Sequence, residues 1–209
     1  MNTPLQQINL EDLSDSIRIL DIGGGGEGLV SRIAGTRVCA VDYRMSEIQE
    51  AQIHNPPANW FVADGCSLPF KGESFDLCTL WFSLGYMSTL TIKRQVIQEA
   101  YRSLKQNGII AILASRIDCD DERFIFHALF TLPDGTLSKV GYGVRGKQNQ
   151  TASSICSLLK EIGFEDIQAE DYEWWFKIKA IKEQPSNSEQ NLKVRTDARA
   201  NNLMPGEKQ

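Results

Sequence analysis

The sequence predicts an α/β protein built on a doubly wound, mostly parallel sheet of seven strands, with a β-hairpin inserted after the fifth. Three observations carry this. Short apolar runs alternate with segments of helical period, the pattern of a parallel sheet covered on both faces. Four consecutive glycines, Gly23 to Gly26, follow directly on the first run. Acids stand at the ends of the first three runs, at Asp21, Asp42 and Asp64, and ligands of such sheets sit beyond the carboxyl ends of the strands.

Each element has its own signal. Ile17 to Ile22 (IRILDI) is short, apolar and bounded by glycines, so it reads as a buried strand. Leu29 to Ala34 begins a helix that stops at Gly35. Arg37 to Val41 is a second strand, and the helix after it, through Glu47 and Ala51, ends at Pro56-Pro57. Trp60 to Ala63 and Phe75 to Phe82 are the third and fourth strands. Ile92, Val96, Ile97, Ala100 and Leu104 share one helical face. Asn107-Gly108 turns the chain into a fifth strand, Ile109 to Ala114. Two β-like runs around Pro133-Asp134-Gly135 give a hairpin signal inside an insert of about 117–150. Thr151 then caps a helix that runs to Ile162 and stops at Gly163. Phe164 to Ala169 and Trp174 to Ile181 close the sheet. This gives one domain over residues 1–182 and a polar, Asn- and Gln-rich tail, 183–209, expected to be disordered.

Composition narrows the class. With 42% hydrophobic and 23% charged residues and a net charge of −5, the chain reads as globular, and its mild acidity argues against a large nucleic-acid footprint. The longest purely apolar run, Ile109 to Ala114, is too short to cross a bilayer. The first residues have neither the basic start nor the apolar core of a signal peptide. Cys39, Cys66, Cys78, Cys119 and Cys156 are scattered and odd in number. They read as reduced thiols of a cytoplasmic protein, with no metal site.

The glycines and acids carry the chemistry. GGGGEG can be fitted to the dinucleotide fingerprint as Gly23, Gly25 and Gly28, with Asp42 as the later acid. Asp21, however, ends the first strand two residues before the first glycine. A carboxylate there repels a pyrophosphate and suits a ligand with positive charge at the loop, which counts against an NAD-dependent oxidoreductase. S-adenosylmethionine has a sulfonium, an ammonium, an adenosine and no phosphate. Asp42 is then placed to accept from both ribose hydroxyls, and Asp64 from the adenine amino group.

Four segments in fixed order, ILDIGGGGEG, VCAVDYR, VADGCSLPFKGESFDLCTLWFSL and EAYRSLKQNGIIAIL, resemble the class I S-adenosylmethionine-dependent methyltransferases. Among these they are most similar to the small-domain group that includes ubiquinone- and menaquinone-type methylases. The resemblance covers about residues 18–115 and implies the Rossmann-like fold of that class. It implies that Asp21, Gly23 and Gly25 surround the methionine part of the cofactor, that Asp42 binds the ribose with Tyr43 beside the adenosine, and that Asp64, Gly65 and Cys66 read the adenine. It further implies that Trp81 contributes its carbonyl or ring near the cofactor's amino group. The family usually carries glycines two, four and six residues after the acid. Here Glu27 takes the sixth place and Gly28 the seventh, so the loop reads as one residue longer.

The acceptor is less defined. Methyl transfer needs alignment and exclusion of water, and a base only for a phenol or an acidic carbon. Tyr86 is a candidate substrate contact or a packing residue; His127 on the hairpin is a candidate base or an ordinary strand residue. His54 sits in a surface turn, and Ser83 and Ser115 fall at strand ends. Trp174-Trp175-Phe176 reads as core or as an aromatic wall. Strand four ends in LWFSL, without the motifs that grip nucleobase amino groups or attack cytosine. The expectation is methyl transfer to a small molecule. Two readings stay open beside it: a protein or RNA methylase, which a basic groove would favour, and a regulatory protein that binds the cofactor without turnover. The hairpin would be a lid over the acceptor or an edge that pairs with a second subunit.

Overall fold

The computed structural model describes residues 1–13, 18–54 and 56–183. Along the chain run β1 (Gln6–Asn9), β2 (Ile19–Ile22), α1 (Leu29–Ala34), β3 (Val38–Asp42), α2 (Met45–Gln52), β4 (Asn59–Val62), β5 (Phe75–Trp81), α3 (Leu90–Ser103), β6 (Leu104–Ser115), β7 (Arg123–Thr131), β8 (Leu137–Arg145), α4 (Ala152–Ile162), β9 (Phe164–Asp171) and β10 (Trp175–Lys182).

The central sheet has seven strands in the order β4-β3-β2-β5-β6-β10-β9. It is mixed: β10 lies antiparallel to both β6 and β9, and the pairs from β4 through to β6 are parallel. All four residues of β2 are buried, as a strand covered on both faces requires. Strand order reverses between β2 and β5, and that reversal opens a crevice at their carboxyl ends.

Helices α3 and α4 cover one face. Thr89 caps α3 by accepting from the Ile92 N–H at 3.2 Å, and Val96, Ile97 and Ala100 turn inward. Thr151 and Ser154 form a reciprocal capping box on α4, and Gly163 ends it in the left-handed region at φ 109. Both helices pack on Leu80, Ile110, Ile112, Phe176 and Ile178. The turn expected at Asn107-Gly108 is a bulge inside one long strand. Leu104 pairs with Phe75 and Ile109 with Leu77, and Asn107 sits between at φ 61.

A second sheet, β1-β7-β8, stands apart from the first. β7 and β8 are antiparallel from Arg123–Arg145 to Thr131–Leu137. Their turn has Gly135 at φ 85, with the Asp134 carboxylate accepting from the Thr136 N–H at 2.8 Å. β1 pairs in parallel along the other edge of β7, so that edge is closed within the chain. β1 is absent from the sequence reading because QQIN offers one apolar side chain, Ile8, and four residues are too few for a period. The inner face of this sheet, Phe124, Phe126, Ala128 and Phe130, is buried against Leu29, Phe82, Leu113 and Ile117. The tail beyond residue 183 lies outside the described residues.

Candidate functional site

The carboxyl ends of β2, β3, β4 and β5 open into one cavity of about 890 Å³, closed on its far side by β8. The glycine loop forms its floor. Gly23 and Gly24 both donate to the Val41 carbonyl, at 2.8 and 3.1 Å, and Gly26 donates to the Glu47 carbonyl at 2.8 Å. A Cβ at Gly25 would come 2.5 Å from the Glu47 Cβ and 2.7 Å from Asp42 Oδ2. Gly26 lies at φ 65, a left-handed backbone that L side chains resist. The surplus glycine is therefore used by the loop itself: it turns the chain so that Gly25 can press against β3 and α2.

Three carboxylates follow. Asp21 is 3% exposed and accepts from Thr79 Oγ1 at 2.6 Å. Burial pushes its pKa up to about 7; the Thr79 bond opposes this and the Asp42 charge adds to it. Asp42 accepts from the Gly25 N–H at 3.2 Å through one oxygen and from the Arg44 N–H at 3.0 Å through the other. It thus fixes the loop and keeps lone pairs for a ligand. Asp64, on the exposed rim, accepts from the Cys66 N–H at 2.8 Å in an Asx turn. Burial first, then Asp64, pushes the Cys66 thiol up, so it stays protonated. A Cβ at Gly65 would meet Ile22 at 3.2 Å and Val96 at 3.3 Å. Tyr43 is 75% exposed at the mouth. Trp81 closes the β5 end and also borders a second, smaller hollow with Leu10 and Trp175.

The opposite wall is aromatic. Phe82 adopts φ 58, a genuine outlier for a bulky residue, and donates its N–H to Leu113 at 2.6 Å. Its ring lies between two others: Tyr142 at 5.2 Å and 3°, and Phe126 at 5.3 Å and 19°. Strain of this kind clusters at ligand sites. Here it directs Ser83, whose Oγ is buried with no partner among the described residues, along the glycine loop beside Gly23. Glu27, the residue that breaks the glycine spacing, accepts from Ser138 Oγ on β8, while Arg32 donates to the same hydroxyl at 3.3 Å and lies 3.8 Å from Glu27. The lengthened loop thereby grips the second sheet.

Asp21, Gly23, Gly25, Asp42, Tyr43, Asp64, Gly65, Cys66, Trp81 and Tyr86 all line this cavity. His127 does not: its strand partner is Gly141, its N–H donates to Thr3, and it lies on the face of β7 opposite the buried phenylalanines. His54 and Ser115 are not in the lining either. Phe176 is fully buried, and Trp175 borders the second hollow. Glu27, Tyr142 and Ser138 are residues that sequence reasoning missed. The only signal for Tyr142 is the pair of glycines beside it, Gly141 and Gly143.

The donor set fits a cationic nucleoside ligand. An ionisable acid stands at the loop, a carboxylate that bridges two backbone amides ends β3, and the orphaned Ser83 Oγ faces a cradle that any Cβ would fill. Among the described residues no lysine lines the cavity to meet a phosphate. Residues 20–112 match the family model described as a methyltransferase domain. A ubiquinone/menaquinone biosynthesis C-methyltransferase from Cereibacter sphaeroides is 27% identical over 106 residues, which is 46% of this chain and 41% of that protein. The chain thus matches less than half the length of this curated relative. A solved S-adenosylmethionine-dependent methyltransferase from Methanosarcina mazei superposes with a TM-score of 0.60 at 19% identity, covering 83% of this chain and 95% of that one. A solved structure described as a cyclase superposes equally, with a TM-score of 0.60 at 16% identity over 83% of this chain and 78% of its own. At these identities the structural likeness is one of fold.

Proposed function

We propose that this chain, whose residues 20–112 match the model of a methyltransferase domain, transfers a methyl group from S-adenosylmethionine to a small molecule. The observation that carries this is the convergence of Asp21, the glycine loop, Asp42, Asp64 and Ser83 on one cavity. At about 890 Å³ it is near the top of the range of small-molecule sites, about 300–1,000 Å³, with room for a cofactor and a compact acceptor together.

The bound cofactor would supply a methyl group made electrophilic by its sulfonium. The chain's part is to hold and align. Asp21, ionised beside a positive ligand, and the orphaned Ser83 Oγ would take the methionine end. Asp42 would accept from the ribose hydroxyls, and Asp64 with the Gly65–Cys66 backbone would take the adenine. Phe82 and Tyr142 would exclude water from the side on which the acceptor lies, which strengthens every electrostatic contact inside. A protein or RNA acceptor is less well supported, since among the described residues the lining carries one basic side chain, Arg44, and no basic groove. Among the described residues no helix is long and apolar enough to cross a membrane.

Calorimetric titration with S-adenosylmethionine and its demethylated product, with NAD as control, tests the reading. Micromolar binding of the first two and none of NAD is expected. Absence of both would leave a protein with the fold and no cofactor.

A further inference from the structure

Lys93, in the first turn of α3, is 3% exposed. Its partners are two neutral amides: Nζ donates to Gln148 Oε1 at 2.9 Å and to Gln150 Oε1 at 2.6 Å. Burial lowers its pKa to about 8, and no carboxylate pulls it back. A buried ammonium is costly, and an apolar side chain would hold the helix more cheaply. What the ammonium adds is polarity: it has three donors and no acceptor, so only the oxygen of each amide can face it. Both glutamines are thereby turned with their nitrogens pointing away from Lys93.

Those nitrogens reach the backbone of the site. Gln148 Nε2 donates to the Gly85 carbonyl at 2.8 Å and to the Arg145 carbonyl at 2.6 Å. Gln150 Nε2 donates to the Ser115 carbonyl at 2.8 Å, and the Gln150 backbone exchanges two bonds with Ile117 at 2.9 and 3.0 Å. One cation thus ties α3 to the end of β6, to both ends of the insert and to the short turn Leu84–Tyr86. Gly85 is buried in that turn, where a Cβ would meet Val144 at 3.2 Å and Ile117 at 3.4 Å. Ser83, with its orphaned Oγ, enters the turn and Tyr86 leaves it, and both line the cavity.

We infer that Lys93 is a positioning residue for the proposed transfer: acting through Gln148 on the Gly85 carbonyl, it fixes where Ser83 and Tyr86 stand in the cavity. This rests on the methyl-transfer reading above and deepens it. Lys93 is not in the lining, so it acts through the turn and not on the ligand. Without its ammonium the two amide oxygens lose their donor, each amide is free to turn over, and the Gly85 carbonyl loses the nitrogen that holds it.

The test titrates S-adenosylhomocysteine into the parent, Lys93→Met, Ser83→Ala and the double variant. Lys93→Met should weaken binding about fivefold. In the Ser83→Ala background the same change should cost less than about twofold, because the hydroxyl it positions is gone. Amide exchange should rise at Tyr86 and Met87, whose N–H groups donate to the Ser83 and Leu84 carbonyls at 3.1 Å each, and hold steady in β2 and β3. Gln148 is half-buried, so Gln148→Leu breaks the same route one step later without touching the buried cation. It should show the same loss and the same dependence on Ser83, and it carries the test if Lys93→Met does not fold. Unchanged affinity, a loss as large without the Ser83 hydroxyl as with it, or exchange raised throughout the central sheet overturns the inference. Failure of the parent to bind S-adenosylhomocysteine strikes the methyl-transfer reading, and the inference falls with it; binding without coupling to Ser83 strikes the inference alone.

Discussion

The floor of the cavity, from Gly23 to Cys66, is set by backbone: amide to carbonyl, amide to carboxylate, and glycines pressed against neighbours. The facing wall, from Phe82 to Tyr142, is set by stacked rings and by a hydroxyl shared between Glu27 and Arg32. Floor residues come from strands that lie side by side. Wall partners lie far apart in the chain: Ser138 is 111 residues from Glu27. Backbone cradles write themselves into sequence as glycine spacing and strand-end acids. Packed walls require only that large side chains meet.

Four experiments would sharpen or break this contrast. The largest effect belongs to Asp21. Its folded carboxyl keeps its proton to about pH 7, whereas an ordinary aspartate releases it near pH 3.8. Stability of the unliganded protein should therefore fall as pH rises from about 4 to about 7 and then level off. Asp21→Asn should remove that slope, matching the parent at pH 4 and exceeding it at pH 8 by up to about 4 kcal/mol in urea unfolding. A parent protein equally stable at both pH values would refute the buried-acid description. In the parent, cofactor binding near pH 7 should release a proton, seen as a buffer-dependent heat.

Asp42→Ala comes next. It removes the acceptor of two backbone amides and, on the proposed reading, of the ribose, so cofactor affinity should drop by roughly 3 kcal/mol, more than a hundredfold. A loss under tenfold would mean that the floor is not organised around this carboxylate. On the wall, Tyr142→Phe keeps the stack on Phe82 and deletes only the hydroxyl. Cofactor affinity should hold within about twofold while turnover falls about tenfold, a split that a purely structural residue would not give. The smallest effect is Ser138→Ala. It should cost about 1 kcal/mol and raise hydrogen exchange in β8 alone; raised exchange across β2 to β6 would show that floor and wall are one unit.

How much was legible follows from the same contrast. The strand-end acids and their common cavity were readable because each acid follows an apolar run and precedes a turn. Thr151 and Gly163 were readable because caps are local. His127 stayed open between a base and an ordinary strand residue because alternation along FIFHALF gives two faces without saying which one meets the sheet; the three phenylalanines took the inner face, and His127 is outside the cavity lining. Tyr142 and Glu27 were missed because their roles depend on β8 lying over the glycine loop, a tertiary fact with no local period. β1 was missed because a four-residue strand draws its stability from the edge it joins.

That edge has a consequence in time. Gln6 pairs with Ala128 and Asn9 with Thr131, so the first strand of the chain must wait for the seventh. The parallel core from β2 to β6 involves nearer neighbours and closes smaller loops, which cost less entropy and form sooner. During synthesis the cofactor floor can thus assemble while the residues that will close the acceptor side are still being made. The last event is the docking of the N-terminal strand onto β7, and a refolding experiment should see its amides protected after those of β5 and β6.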